Sequence, residues 1–178
     1  MLISEAADMI RCPLLTQAAQ PLTWADLGCG SGVFTRALGS LLPAQSAIYA
    51  IDSSNTWKPE DTAADPVRYI FQQADFIQDN LRLPLLDGIL MANALHYVKE
   101  KSALLEKLIS YCKPDAAFLV VEYDTDHAVH PWIPYPIKFS LLSELFSDQG
   151  FSQVQQLQKR PSIYRRDSMY SALITRNE

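Results

Sequence analysis

The run TWADLGCGSGVF, residues 23–34, limits what this chain can fold into more than any other stretch. LTWADL reads as a short strand ending near an acid, Asp26. Gly28, Gly30 and Gly32 then alternate with Cys29 and Ser31. Directly afterwards Val33, Phe34, Ala37, Leu38, Leu41 and Leu42 repeat at helical spacing until Pro43. Glycines at a strand-to-helix turn permit positive φ and let a ligand approach the main chain without meeting Cβ atoms. Open α/β sheets bind ligands at this position, beyond the carboxyl ends of their strands. The stretch therefore reads as a cradle for a nucleotide-like cofactor.

The rest of the chain agrees with such a sheet. SAIYAID (46–52), VRYIFQQAD (67–75), DGILMAN (87–93) and AAFLVVEYD (116–124) read as further strands. Leu104, Leu105, Leu108, Ile109 and Cys112 mark a helix that Pro114 is expected to end. Strands alternating with helices imply right-handed crossovers and a parallel sheet covered on both faces. Near the end a helix around Ser140–Gln149 stops at Gly150. FSQVQQLQK and SMYSALITR follow, close enough together to pair antiparallel. The first 20 residues read as a helix interrupted by Pro13. The expected fold is a three-layer Rossmann-like α/β sandwich, with seven mostly parallel strands and the last antiparallel, in one domain spanning 1–178.

Spacing narrows the cofactor. A dinucleotide fingerprint needs a small third residue at position 33, where Val33 stands, and no G-K-[ST] follows for a P-loop. Acids at strand tips repel a pyrophosphate and attract an ammonium or sulfonium group. A nicotinamide oxidoreductase is accordingly disfavoured.

At these residues the sequence resembles the class I S-adenosylmethionine-dependent methyltransferases over nearly its whole length. The resemblance implies that Asp26, Gly28, Cys29, Gly30 and Gly32 form the first cofactor motif. Asp52, with Ser53 beside it, would hold the ribose hydroxyls. Asp75 would take the adenine amine while Phe76 lies along the ring, and the Asn93, Ala94, Leu95 backbone would line the methionine arm. S-adenosylhomocysteine would be the product. Asp75 also has a plainer reading as a turn former, and Cys29 as a small space filler. No metal role is expected, because His127 and His130 are too few and too loosely set for a site.

The acceptor side is thinner. EYDTDHAVHPWIPYPIKF, residues 122–139, disfavours both helix and strand, and its position suits a pocket roof. Trp132 and Tyr135 would be apolar walls. His96, His127, His130 and Tyr135 are the catalytic candidates, His96 because it follows the tip of the fourth strand. The bland alternatives are a proline-pinned connection over the core and a histidine bonded locally. Asn93-Ala94-Leu95-His96 lacks the proline pair of the resembling base-amine methyltransferases, and no paired glutamates suit a protein-arginine enzyme.

With 15 Lys plus Arg against 20 Asp plus Glu, the net charge of -5 disfavours nucleic acid. Lys159, Arg160, Arg165 and Arg166 form the one basic cluster. Methylation of a small organic acceptor is the reading preferred. RNA or protein methylation and a non-catalytic cofactor-binding module are the rivals. Three widely spaced cysteines, no signal-like leader and no long apolar run point to a cytoplasmic protein away from membranes, as monomer or homodimer.

Overall fold

Every apolar run named above becomes a strand in the computed structural model, which describes residues 1–57, 65–161 and 168–176. The strands are β1 (Thr23–Leu27), β2 (Ala47–Asp52), β3 (Arg68–Gln73), β4 (Leu86–Ala92), β5 (Cys112–Tyr123), β6 (Gln153–Pro161) and β7 (Ser168–Thr175). They form one seven-stranded sheet in the order β3-β2-β1-β4-β5-β7-β6. β1 to β5 pair in parallel, and β7 runs antiparallel to both its neighbours. The expected architecture is thus observed. Strand order reverses between β1 and β4, the switch point at which such sheets open a crevice.

Central strands are apolar on both faces because both are covered. In β4, Ile89 and Met91 join one core while Leu90 and Ala92 join the other. Phe118 and Val120 of β5 divide from Ala117, Leu119 and Val121 in the same way. A two-residue repeat on a pleated strand requires this division. α4 (Lys101–Ile109) and α5 (Phe139–Ser147) cover the first face, through Leu105, Leu108, Leu142 and Phe146. α1 (Ile3–Ile10), α2 (Pro13–Thr16) and α3 (Val33–Gly39) cover the second, through Met9, Ile10, Leu15 and Leu38. Trp24 lies against Gly88, where an added Cβ would come within 2.4 Å of the indole. Gly88 is therefore a packing glycine.

Three expectations need correction. The fourth helix ends at Ile109, and Cys112 and Pro114 belong to β5. Pairing with β4 jumps from Leu86↔Cys112 to Gly88↔Ala117, so Pro114 falls in an irregularity that asks for no ladder N–H. Alternation of strand and helix is broken between β3 and β4, where residues 74–85 contain only turns. α3 stops at Gly39, leaving Leu41 and Leu42 buried in the turn that precedes Pro43. Among the described residues no helix is long and apolar enough to cross a membrane.

Candidate active site

The glycine turn adopts the backbone its sequence required. Gly28, Gly30 and Gly32 have φ of 77°, 52° and 82°, and the Gly28 and Cys29 amides donate to the Ile51 carbonyl at 2.8 and 3.1 Å. Only Gly30 is open, since a Cβ there would meet nothing within 4 Å. At Gly32 a Cβ would sit 1.7 Å from the Trp57 ring, so packing as well as φ excludes a side chain.

A cavity of about 340 Å³ lies beyond the carboxyl ends of β1 to β4. Gly28, Asp52, Ser53, Asp75 and Phe76 line it, and Asn93 with Ala94 closes its inner wall. Asp52 is held on both oxygens: Gly30 N donates to Oδ2 at 2.8 Å, and Ser54 donates to Oδ1 through N at 2.8 Å and Oγ at 2.7 Å. Asp75 accepts from the Ile77 and Gln78 amides at 2.8 and 3.3 Å, so the turn-forming reading holds while the residue also faces the cavity. Leu95 is fully buried in the core.

Asp26 stands differently from the other acids. It is 1% exposed, with Oδ2 accepting from Thr35 Oγ1 at 2.6 Å and Oδ1 enclosed without a partner. Burial pushes its carboxyl up to about 7, against the lowering effect of the Thr35 bond and with a smaller push from Asp52. An ammonium-holding role needs an oxygen open to the cavity, and in this structure both are shut in. Asp26 ties α3 to β1. Cys29 is buried, and burial followed by the charges of Asp26 and Asp52 pushes its thiol upward, opposite to the lowering that a helix start would give.

The histidines separate cleanly. His96 is buried in a 3-10 turn (Leu95–Tyr97), and its Nδ1 lies 2.6 Å from Glu122 Oε2. The His96 amide also donates to Glu122 Oε1 at 3.1 Å, so one carboxylate fixes both the ring and the main chain. Glu122 was missed in the sequence, although an acid directly after the apolar run AAFLVV was a signal. His127 and His130 are exposed, and His127 Nε2 lies 3.6 Å from Asp126 Oδ1. Trp132 is 69% exposed, whereas Tyr135 is tied to His96 by its amide, which donates to the His96 carbonyl at 2.9 Å. Lys101 Nζ donates to the Val98 and Tyr135 carbonyls at 2.7 Å each, pinning this end of the loop.

A second cavity, of about 330 Å³, shares Asn93 with the first. Val33, Phe34, Tyr123, Pro161 and Met169 give it apolar walls, and Glu5 and Arg160 stand on one side. Asn93 has φ 54° and a buried Oδ1 without a partner. In the basic cluster, Lys159 pairs with Asp124 at 2.7 Å and Arg160 with Glu5 at 3.4 Å. Arg165 and Arg166 lie outside the described residues.

The chain belongs to the methyltransferase domain family, whose pattern matches residues 5–176. The resemblance read from the glycine turn and the acids after it therefore holds at family level. A search of curated protein sequences finds no match. Among solved structures, a Burkholderia thailandensis 1,6-didemethyltoxoflavin-N1-methyltransferase is similar, with TM-score 0.74 and 18% identity, covering 99% of this chain and 78% of that one. The magnesium protoporphyrin IX methyltransferase of Synechocystis is similar at TM-score 0.71 and 16% identity, covering 98% and 83%. The plantazolicin methyltransferase BpumL follows at 0.66 and 15%, with the same coverage. At such identities the likeness speaks for the fold.

Proposed function

We propose that this protein transfers a methyl group from S-adenosylmethionine to a small organic acceptor, with His96 as general base. The observation that carries this reading is the meeting of two cavities at Asn93, three residues before a buried histidine gripped by a carboxylate. The residues fit the cofactor. Gly30 leaves room beside the main chain, Asp52 and Asp75 offer carboxylates, and Asn93 Oδ1 awaits a donor. Neighbours of the same fold were crystallised with S-adenosylhomocysteine bound, which supports this choice.

When bound, the cofactor supplies a methyl carbon already activated by its sulfonium leaving group. Position and dryness are then the chain's main tasks. Asp52, braced by Gly30 and Ser54, would orient the ribose, and Asp75 with Phe76 the adenine. Glu122 accepts from His96 Nδ1–H, leaving Nε2 as the proton acceptor. His96 itself lines neither cavity, and among the described residues its Nε2 has no hydrogen bond; in this reading Nε2 would take the acceptor's proton as the new bond to carbon forms. Such a base suits a hydroxyl or weakly acidic N–H acceptor. The RNA-directed reading loses support because the net charge of -5 disfavours a phosphate backbone and Lys159 of the basic cluster is already closed on Asp124 at 2.7 Å.

Mass spectrometry of candidate acceptors incubated with protein and S-adenosylmethionine tests the reading. We expect methylated product, and a loss of about 100-fold or more in turnover for His96→Asn with S-adenosylhomocysteine affinity retained. Cofactor binding without product from any acceptor would favour the non-catalytic module. Undiminished turnover in His96→Asn would remove the base.

A further inference from the structure

Arg160 is under-used where it stands. A guanidinium offers five N–H donors in a planar fork. The one hydrogen bond this group makes among the described residues is Nη2 to Glu5 Oε1 at 3.4 Å, the long end of the range. Glu5 has a better-defined partner: its Oε2 accepts from the Leu2 amide at 2.8 Å, capping α1. That backbone bond is the largest cause holding the Glu5 carboxyl below its ordinary range. Lys159, the neighbouring cation, is a different case, being closed at 2.7 Å on the half-buried Asp124. Arg160 is 28% exposed and borders the second cavity, which Glu5 and Asn93 also line and to which Val33, Phe34, Tyr123, Pro161 and Met169 give apolar walls.

An apolar slot of about 330 Å³ with a loosely held arginine on one side has a defined complement. We infer that the acceptor is a flat apolar molecule carrying a carboxylate, which Arg160 takes in a bidentate grip while the ring lies against Phe34 and Met169. This rests on the methyltransferase reading, since the cavity is the acceptor site only if the cavity across Asn93 takes the cofactor. Glu5 is the competitor. Its oxygen occupies a guanidinium donor in the absence of ligand and weakens the grip by its charge. Arg160 is thus a specificity residue and not a catalytic one, for it selects the body of the acceptor and leaves proton removal to His96.

Calorimetry on the S-adenosylhomocysteine-loaded protein, with 4-hydroxybenzoate and its neutral isostere 4-hydroxybenzamide as probes, tests the inference. The benzoate should bind about tenfold tighter than the amide, as a charge-assisted pair predicts. Arg160→Gln should erase the difference. Glu5→Gln keeps an acceptor for the Leu2 amide but loses the rival charge, and should strengthen benzoate binding about threefold. No merely structural role for Arg160 would produce that gain. Equal affinities for the two probes, a preference that survives Arg160→Gln, or no saturable benzoate binding would each overturn the inference. If the protein takes up S-adenosylhomocysteine and shows no carboxylate preference, this inference alone falls. If it takes up no S-adenosylhomocysteine, the methyltransferase reading falls first and this one with it.

Discussion

Replacing Asp26 by Asn should change how stability depends on pH, in a direction set by the burial of its carboxyl. Asp26 is 1% exposed, and burial pushes its carboxyl to about 7 from an ordinary value of 3.8. Between those values the folded protein holds a proton that the unfolded chain has released. Stability from this group is therefore complete below about pH 4 and is lost as pH rises through about 7. Relative to the protonated fold, ionisation costs about 1.6 kcal/mol at pH 5 and on the order of 4 kcal/mol at pH 8, at 1.36 kcal/mol per pH unit. Asn stays neutral, so the stability of Asp26→Asn minus that of the wild type should shift in favour of the variant by on the order of 3 kcal/mol between pH 5 and pH 8. The new amide's unsatisfied donor costs about 1–3 kcal/mol at either pH and cancels in that difference. Other titrating groups cancel likewise. Urea unfolding of both proteins at the two pH values measures it. A shift below about 1 kcal/mol, or one favouring the wild type at pH 8, would refute the assignment of a buried, poorly solvated carboxylate.

Other perturbations separate packing from cofactor recognition. Gly32→Ala would drive a Cβ to 1.7 Å from Trp57, so thermal denaturation should show a loss of about 3 kcal/mol or more from overpacking and positive φ combined. Gly30→Ala meets no atom within 4 Å; it should cost about 1 kcal/mol in stability yet weaken S-adenosylhomocysteine binding about tenfold or more by calorimetry. Glu122→Ala leaves His96 Nδ1 and the His96 amide unpartnered in a buried turn, and should cost about 3 kcal/mol in chemical denaturation. Asp52→Asn should weaken S-adenosylmethionine binding about tenfold and also cost about 1–3 kcal/mol in thermal denaturation, because the amide's single oxygen cannot accept from both Gly30 and Ser54 and its NH2 is left facing one of those donors.

How far the sequence could be read depended on whether a residue's partners were near it in the chain. The glycine turn was legible because positive φ is a local demand, and Gly28, Gly30 and Gly32 all meet it. Strands β4 and β5 were legible as unbroken apolar runs, which a sheet covered on both faces requires. Pro114 misled because proline commonly ends a helix, and nothing local shows that a register jump against β4 will absorb it. His96 could be singled out by its place after β4, but its grip by Glu122 depends on β5 lying beside β4. Asp26 looked like a ligand-facing acid, and only the closure of α3 over β1 shows that Thr35 takes it. The second cavity draws on α1, α3 and the β6–β7 pair, segments far apart in the chain that only the finished fold brings together.

The claim beneath all of this is that the hollow lined by Gly28 and Asp52 takes a cationic sulfur nucleoside and refuses a dinucleotide. Isothermal titration of S-adenosylmethionine, S-adenosylhomocysteine and NAD into the same preparation tests it most directly. Saturable one-to-one binding of the first two with no heat from NAD is the predicted result. Tight NAD uptake, or silence from both sulfur nucleosides, would contradict it.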